Sequence, residues 1–69
     1  MSDYRSRLVR ELYKLDTKIA KLEKFLDTPQ YERLELRDQR LLLEQHASMV
    51  QYRKTLSCRV AHSFELDYV

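Results

Sequence analysis

A chain of 69 residues makes one small domain, and a chain this short buries too small a fraction of its surface to be comfortably stable alone, so self-association is expected. It has one cysteine, Cys58, one proline, Pro29, and no glycine, which excludes an internal disulfide framework and every phosphate-cradling loop built on glycine, the P-loop and the dinucleotide fingerprint included. With 35% charged and 43% hydrophobic residues and a net charge of +2, the composition suits folded amphipathic helices, and no apolar run is long enough for a signal peptide or a membrane span.

The first element is the clearest. Leu8, Leu12, Leu15, Ile19, Leu22 and Leu26 recur at alternating steps of four and three, a heptad seam that predicts a helix from about residue 3 to about residue 27. At 1.5 Å per residue it is on the order of 35 Å long. This helix also holds the basic excess. Residues 1–26 carry seven Lys or Arg against four acids, whereas residues 27–69 carry six against seven. That is too little positive charge to wrap a duplex but enough to hold a small anionic ligand or to touch RNA briefly.

Thr28 reads as an N-cap with Pro29 at the first helical position, which ends the first helix and starts a short helical turn over about 29–34. Leu34, Leu36 and Leu41 then fall out of phase, marking a joint. A second helix is expected at about 37–61, with Leu42, Gln45, Met49, Tyr52, Leu56 and Arg59 or Val60 inward and Leu43, His46, Val50 and Arg53 on the adjoining row. So broad a face suggests contact with the first helix and with another subunit. In the tail, residues 62–69, Phe64, Leu66 and Tyr68 alternate with polar residues, which is strand-like spacing for an extended arm or a frayed end. The fold expected is all-α: a single antiparallel helical hairpin over residues 1–69, assembled through its leucine seams into a homo-oligomeric helical bundle.

Little in the chain suggests catalysis. Cys58 and His62 are four apart on one helix, but a closed zinc site needs four ligands and His46 is the only further soft donor. Ser57 and Ser63 lie near His62 without the strained turn that a nucleophilic serine uses. No metal, no cofactor and no enzymatic activity are expected, and a reducing cytoplasm suits the lone thiol. The basic residues are more informative. At about 100° per residue, Arg7, Arg10, Lys14, Lys18 and Lys21 cluster roughly 120° to one side of the leucine seam. Phe25 falls on the stripe and Tyr4 between stripe and seam. An aromatic ring beside ammonium groups offers a base a surface and a phosphate a charge. The plainer alternative is long cationic side chains lying over the edge of a coiled-coil core.

The run "RLVRELYKLDTKIAKLEKFLDTPQYERL" followed by "QRLLLEQHASMVQYRKTLSCRV" resembles the short hairpin domain of bacteriophage anti-CBASS and anti-Thoeris sponge proteins over about residues 5–60. The similarity lies in "KIAKLEKFL", the aromatic in "TPQYERL", the "LLLEQ" start of the second helix, and the spacing Met49, Tyr52, Leu56, Arg59. It implies a non-enzymatic protein of the infected bacterial host's cytoplasm. Such a protein binds cyclic di- or trinucleotide immune signals, or those of cyclic ADP-ribose type, between subunits of a homo-oligomer, a hexamer in the anti-CBASS branch. By position, the resemblance assigns the phosphate-contacting lysine to Lys18, with Lys21 beside it. The base-stacking aromatic falls on Tyr4 as the nearest candidate, and the arginine of a separate trinucleotide pocket on Arg59. From the residues alone, a helical hairpin that binds RNA through its basic helix, or a coiled-coil adaptor, remains the alternative.

Overall fold

The computed structural model describes residues 2–65. Three helices follow one another: α1 (Ser2–Leu26), α2 (Pro29–Glu32) and α3 (Leu36–Glu65). The long pair α1 and α3 packs into a rod with extents of 52 × 15 × 14 Å. The pair is antiparallel, as the cross-links between its two helices show: Arg59 meets Tyr4, Arg53 meets Asp16, and His46 meets Glu23. No helix among the described residues is long and apolar enough to cross a membrane.

The leucine seam of α1 forms the core, and it does so within one chain. Leu8, Leu15 and Ile19 are buried with Leu56 of α3, and Leu12, Met49, Val50 and Val60 pack against them half-buried. Ile19 and Leu56, 1% and 0% exposed, are the centre of the contact. Of the seam expected to join subunits, α3 of the same chain covers Leu8, Leu15 and Ile19, while Leu12, Leu22 and Leu26 keep part of their surface open.

The inward stripe of α3 is also narrower than expected. Gln39, Leu42, His46, Met49, Val50, Arg53, Leu56, Val60 and Ser63 are the partly or fully buried positions, while Leu43, Gln45, Tyr52 and Arg59 face water. One partner helix covers one stripe of α3, so residues two rows apart cannot both be inside. His46 and Arg53 are polar yet sit at the seam's edge because their tips reach acids on α1. The His46 ring Nε2 lies 2.8 Å from Glu23 and an Arg53 Nη1 lies 3.6 Å from Asp16.

The joint turns without glycine, and no described residue has a positive φ. Thr28 caps α2 from extended backbone (φ −107°, ψ 155°), its hydroxyl accepting from the Tyr31 N–H at 3.4 Å and donating to the Phe25 carbonyl at 2.6 Å. One side chain thus closes the end of α1 and the start of α2, as a hydroxyl with donor and acceptor capacity can. The Tyr31 ring meets Phe25 edge-on, with centroids 6.3 Å apart. Gln39, on the first turn of α3, points its amide nitrogen at three carbonyls at and just after the end of α2, those of Tyr31 (3.0 Å), Glu32 (3.2 Å) and Leu34 (3.1 Å). A helix end otherwise leaves such carbonyls to water, so Gln39 fixes the angle at which α3 departs.

The last turns of α3 differ from the strand-like reading of residues 62–69. His62 to Glu65 remain helical. Leu56, Val60 and Ser63 continue the four-and-three spacing of the seam, and Ser63 is small enough to stay buried while its hydroxyl donates to the Val60 carbonyl at 2.6 Å. That helical period overrides the alternation at Phe64. Leu66 and Tyr68 lie outside the described residues.

Candidate ligand-binding face

Two flanks run along the hairpin on either side of the seam. On one, Tyr4, Glu11 and Lys18 follow each other at heptad steps on α1, and Arg59, Tyr52 and Gln45 do the same in reverse on α3. The first rung is closed by a hydrogen bond, an Arg59 Nη2 donating to the Tyr4 hydroxyl oxygen at 3.4 Å. In an antiparallel pair each heptad step on one helix is matched by a step back on the other. Glu11 accordingly falls level with Tyr52, and Lys18 with Gln45. All six side chains are exposed.

This flank brings two of the four sequence-derived candidates together and separates the others. Tyr4 and Arg59 share a hydrogen bond. Lys18 stands fourteen residues further along α1, about 21 Å at 1.5 Å per residue, and Lys21 is turned about 60° further from the seam by the helical step. Both lysines are exposed. Within one chain, then, the Tyr4–Arg59 pair and Lys18 stand at separate places along the same flank.

The electrostatics of the pair are settled by its neighbours. The hydrogen bond that Arg59 donates to Tyr4, with added attraction from Tyr4 and Glu11, raises the Arg59 guanidinium above its ordinary value. Arg59 is cationic at any working pH, as arginine is in proteins generally, and its hydrogen bond holds the Tyr4 hydroxyl beside it. A planar aromatic next to a fixed guanidinium is suited to a base and its phosphate.

The opposite flank carries the ion pairs of Asp16 with Arg53 and Glu23 with His46, and at its far end a groove of about 550 Å³ lined by Arg5, Ser6, Val9, Arg10, Tyr13 and Phe64. The Arg5 guanidinium carbon lies over the Phe64 ring, 4.4 Å from its centroid, and Arg5 donates from Nη2 to the Ser63 carbonyl at 3.3 Å. The sequence reading missed this arrangement, because Arg5 and Phe64 are far apart in the chain and Phe64 was assigned to the tail. The one available signal was Ser63 in phase with Leu56 and Val60.

His62 Nδ1 lies 3.6 Å from Glu65, and Cys58 is a free, exposed thiol. Among the described residues no three His, Cys, Asp or Glu side chains converge as a metal site would require.

The geometry defines a class: an all-helical hairpin protein whose charged and aromatic groups lie on its open faces. The Sequestin family model matches residues 2–62, and the chain belongs to the Sequestin family. No curated protein and no solved structure matches it significantly.

Proposed function

We propose that the protein is a sponge: it binds and sequesters cyclic oligonucleotide immune signals of a bacterial host and so keeps them from their effectors, without chemical turnover. The reading includes a bacteriophage origin, action in the infected cell's cytoplasm, and ligands of the cyclic di- or trinucleotide class or of the cyclic ADP-ribose type. The family's name suggests sequestration of a ligand, and the site chemistry suggests which kind. Lys18, with Lys21 beside it, meets a phosphate. Tyr4 offers a ring to a base, and Arg59 serves the larger trinucleotide.

The observation that carries the proposal is the separation of these groups. Tyr4 with Arg59 and Lys18 with Lys21 stand at two places along one rod, and a homo-oligomer, a hexamer by the resemblance to the anti-CBASS branch, lets different copies present them to one ligand. It also supplies preorganisation, because the rings and cations are fixed before the ligand arrives.

Calorimetry with cyclic dinucleotides, cyclic trinucleotides and cyclic ADP-ribose isomers tests this at two salt concentrations. The reading expects a saturable ligand in the panel with a shallow salt dependence, because a cyclic dinucleotide carries two phosphate charges and releases few counterions. Absence of binding across the whole panel overturns it. A steep salt slope with structured RNA, and no cyclic nucleotide bound, would instead favour the RNA-binding alternative.

A further inference from the structure

The groove on the far flank is basic and walled by rings. Arg5 and Arg10 line it together with Ser6, Val9, Tyr13 and Phe64, and no carboxylate does. The acids of the neighbouring turns are engaged or distant: Asp16 reaches Arg53 and Glu65 reaches His62, while Asp3 stands two turns before Arg10, about 10 Å along the helix. On α1 itself, the residues three before and four after Arg10 are Arg7 and Lys14. Side chains at those spacings are neighbours, so like charges gather here at a cost to the helix. A bound anion relieves that cost.

The shape selects the kind of anion. The stretch of α1 that lines the groove runs from Arg5 to Tyr13, about 12 Å of helix, and the space of about 550 Å³ lies within the roughly 300–1,000 Å³ of small-molecule sites. Tyr13 is 73% exposed and Phe64 47%, which at about 150–250 Å² per aromatic side chain leaves on the order of 200 Å² of ring surface open. That is well short of the about 800 Å² per partner that a stable protein interface takes, but it is enough for one planar ring. The Arg5 guanidinium over Phe64, tied to the Ser63 carbonyl, is a wall already in place before a ligand arrives. Arg10 forms no ion pair among the described residues, and its fork of N–H donors matches the oxygens of a phosphate.

We propose that this groove binds a phosphorylated nucleoside, with the phosphate on Arg10 and the base against Tyr13 and the Arg5–Phe64 wall. Bases stack on aromatic side chains and on guanidinium planes alike, so both sides of the groove suit a ring, and the cation between them suits its phosphate. The site is separate from the flank that carries Tyr4, Lys18 and Arg59. It does not depend on the function proposed for that flank.

Two-dimensional NMR of the isotope-labelled chain, titrated with adenosine monophosphate, adenosine and inorganic phosphate, provides the test. The monophosphate should shift the amide signals of Ser6, Val9 and Arg10 and the ring signals of Tyr13 and Phe64 along one saturating curve, while adenosine or phosphate alone should need roughly tenfold more ligand. Arg10→Gln and Tyr13→Ala, both at exposed positions, should each weaken the monophosphate by a similar factor. Lys24→Gln, which removes a charge elsewhere on α1, should leave the curve unchanged. Shifts confined to Tyr4, Lys18 and Arg59 put the nucleotide on the other flank and overturn the groove. Phosphate that matches the monophosphate at the same concentration also overturns it, because the rings then contribute nothing. No saturable shift with any of the three probes overturns the groove while leaving the cyclic-nucleotide reading of the other flank standing.

Discussion

Leu56→Ala should remove most of the chain's stability. Leu56 is fully buried at the centre of the α1–α3 contact, and truncating such a leucine costs about 2–5 kcal/mol through lost burial and the cavity left behind. A chain of this size has on the order of 3–10 kcal/mol in total. Thermal melts followed by circular dichroism at one fixed protein concentration would read the loss, since stability varies with concentration when copies associate. Leu15→Asp acts at the same seam and should be worse, because it places a charge where only apolar groups surround it. Leu36→Ala is the contrasting case: Leu36 is 79% exposed, and its loss should change stability by no more than about 0.5 kcal/mol. Equal effects at Leu36 and Leu56 would mean that the helices do not pair as described.

Substitution of Lys18 should have the opposite profile. The side chain is exposed and away from the seam, so Lys18→Ala should leave helicity, melting temperature and assembly unchanged. Removing a charge-assisted contact to a phosphate costs about 1.5–3 kcal/mol, which is roughly a 10- to 150-fold weaker affinity. Arg59→Ala should weaken the trinucleotide more than the dinucleotide, and it also releases the Tyr4 hydroxyl that Arg59 holds. Lys24→Ala, on a face remote from both seam and stripe by the helical step, should change neither affinity nor stability. If Lys18→Ala dissociates or unfolds the protein, the lysine is structural and its place in the site is wrong.

These expectations separate what the amino-acid order made legible from what it did not. The six heptad positions of α1 identified both a helix and its buried face, because a single repeating period over nearly three heptads has few competing readings. The Thr28–Pro29 pair marked the joint for a similarly local reason, a cap and a fixed φ acting within one turn. The inward face of α3 was harder. Its apolar residues occupy several rows, and only the partner helix decides which row is covered, so Leu43 and Tyr52 stay exposed while Ser63 is buried. Gln39 escaped notice because its partners are backbone carbonyls, which leave no trace in composition or spacing. Arg5 and Phe64 escaped because their contact spans nearly the whole chain.

The candidate site was legible in part for the same reasons. Helical phase identified Lys18 and Lys21 as a cationic flank, and pairing of α1 with α3 brought Tyr4 to Arg59. What phase within α1 could not reveal is which residue of α3 stands beside Tyr4; the hairpin pairing places Arg59 there.

The central claim is sequestration, and a recovery experiment tests it most directly. Protein in excess is incubated with a cyclic nucleotide from the panel, the free ligand is measured by ultrafiltration, and the protein is then heat-denatured and the filtrate measured again. The account predicts that the free ligand falls in proportion to the protein added and returns chemically intact and in full after denaturation. Free ligand that never falls for any member of the panel, or that returns as a hydrolysed product, would contradict it.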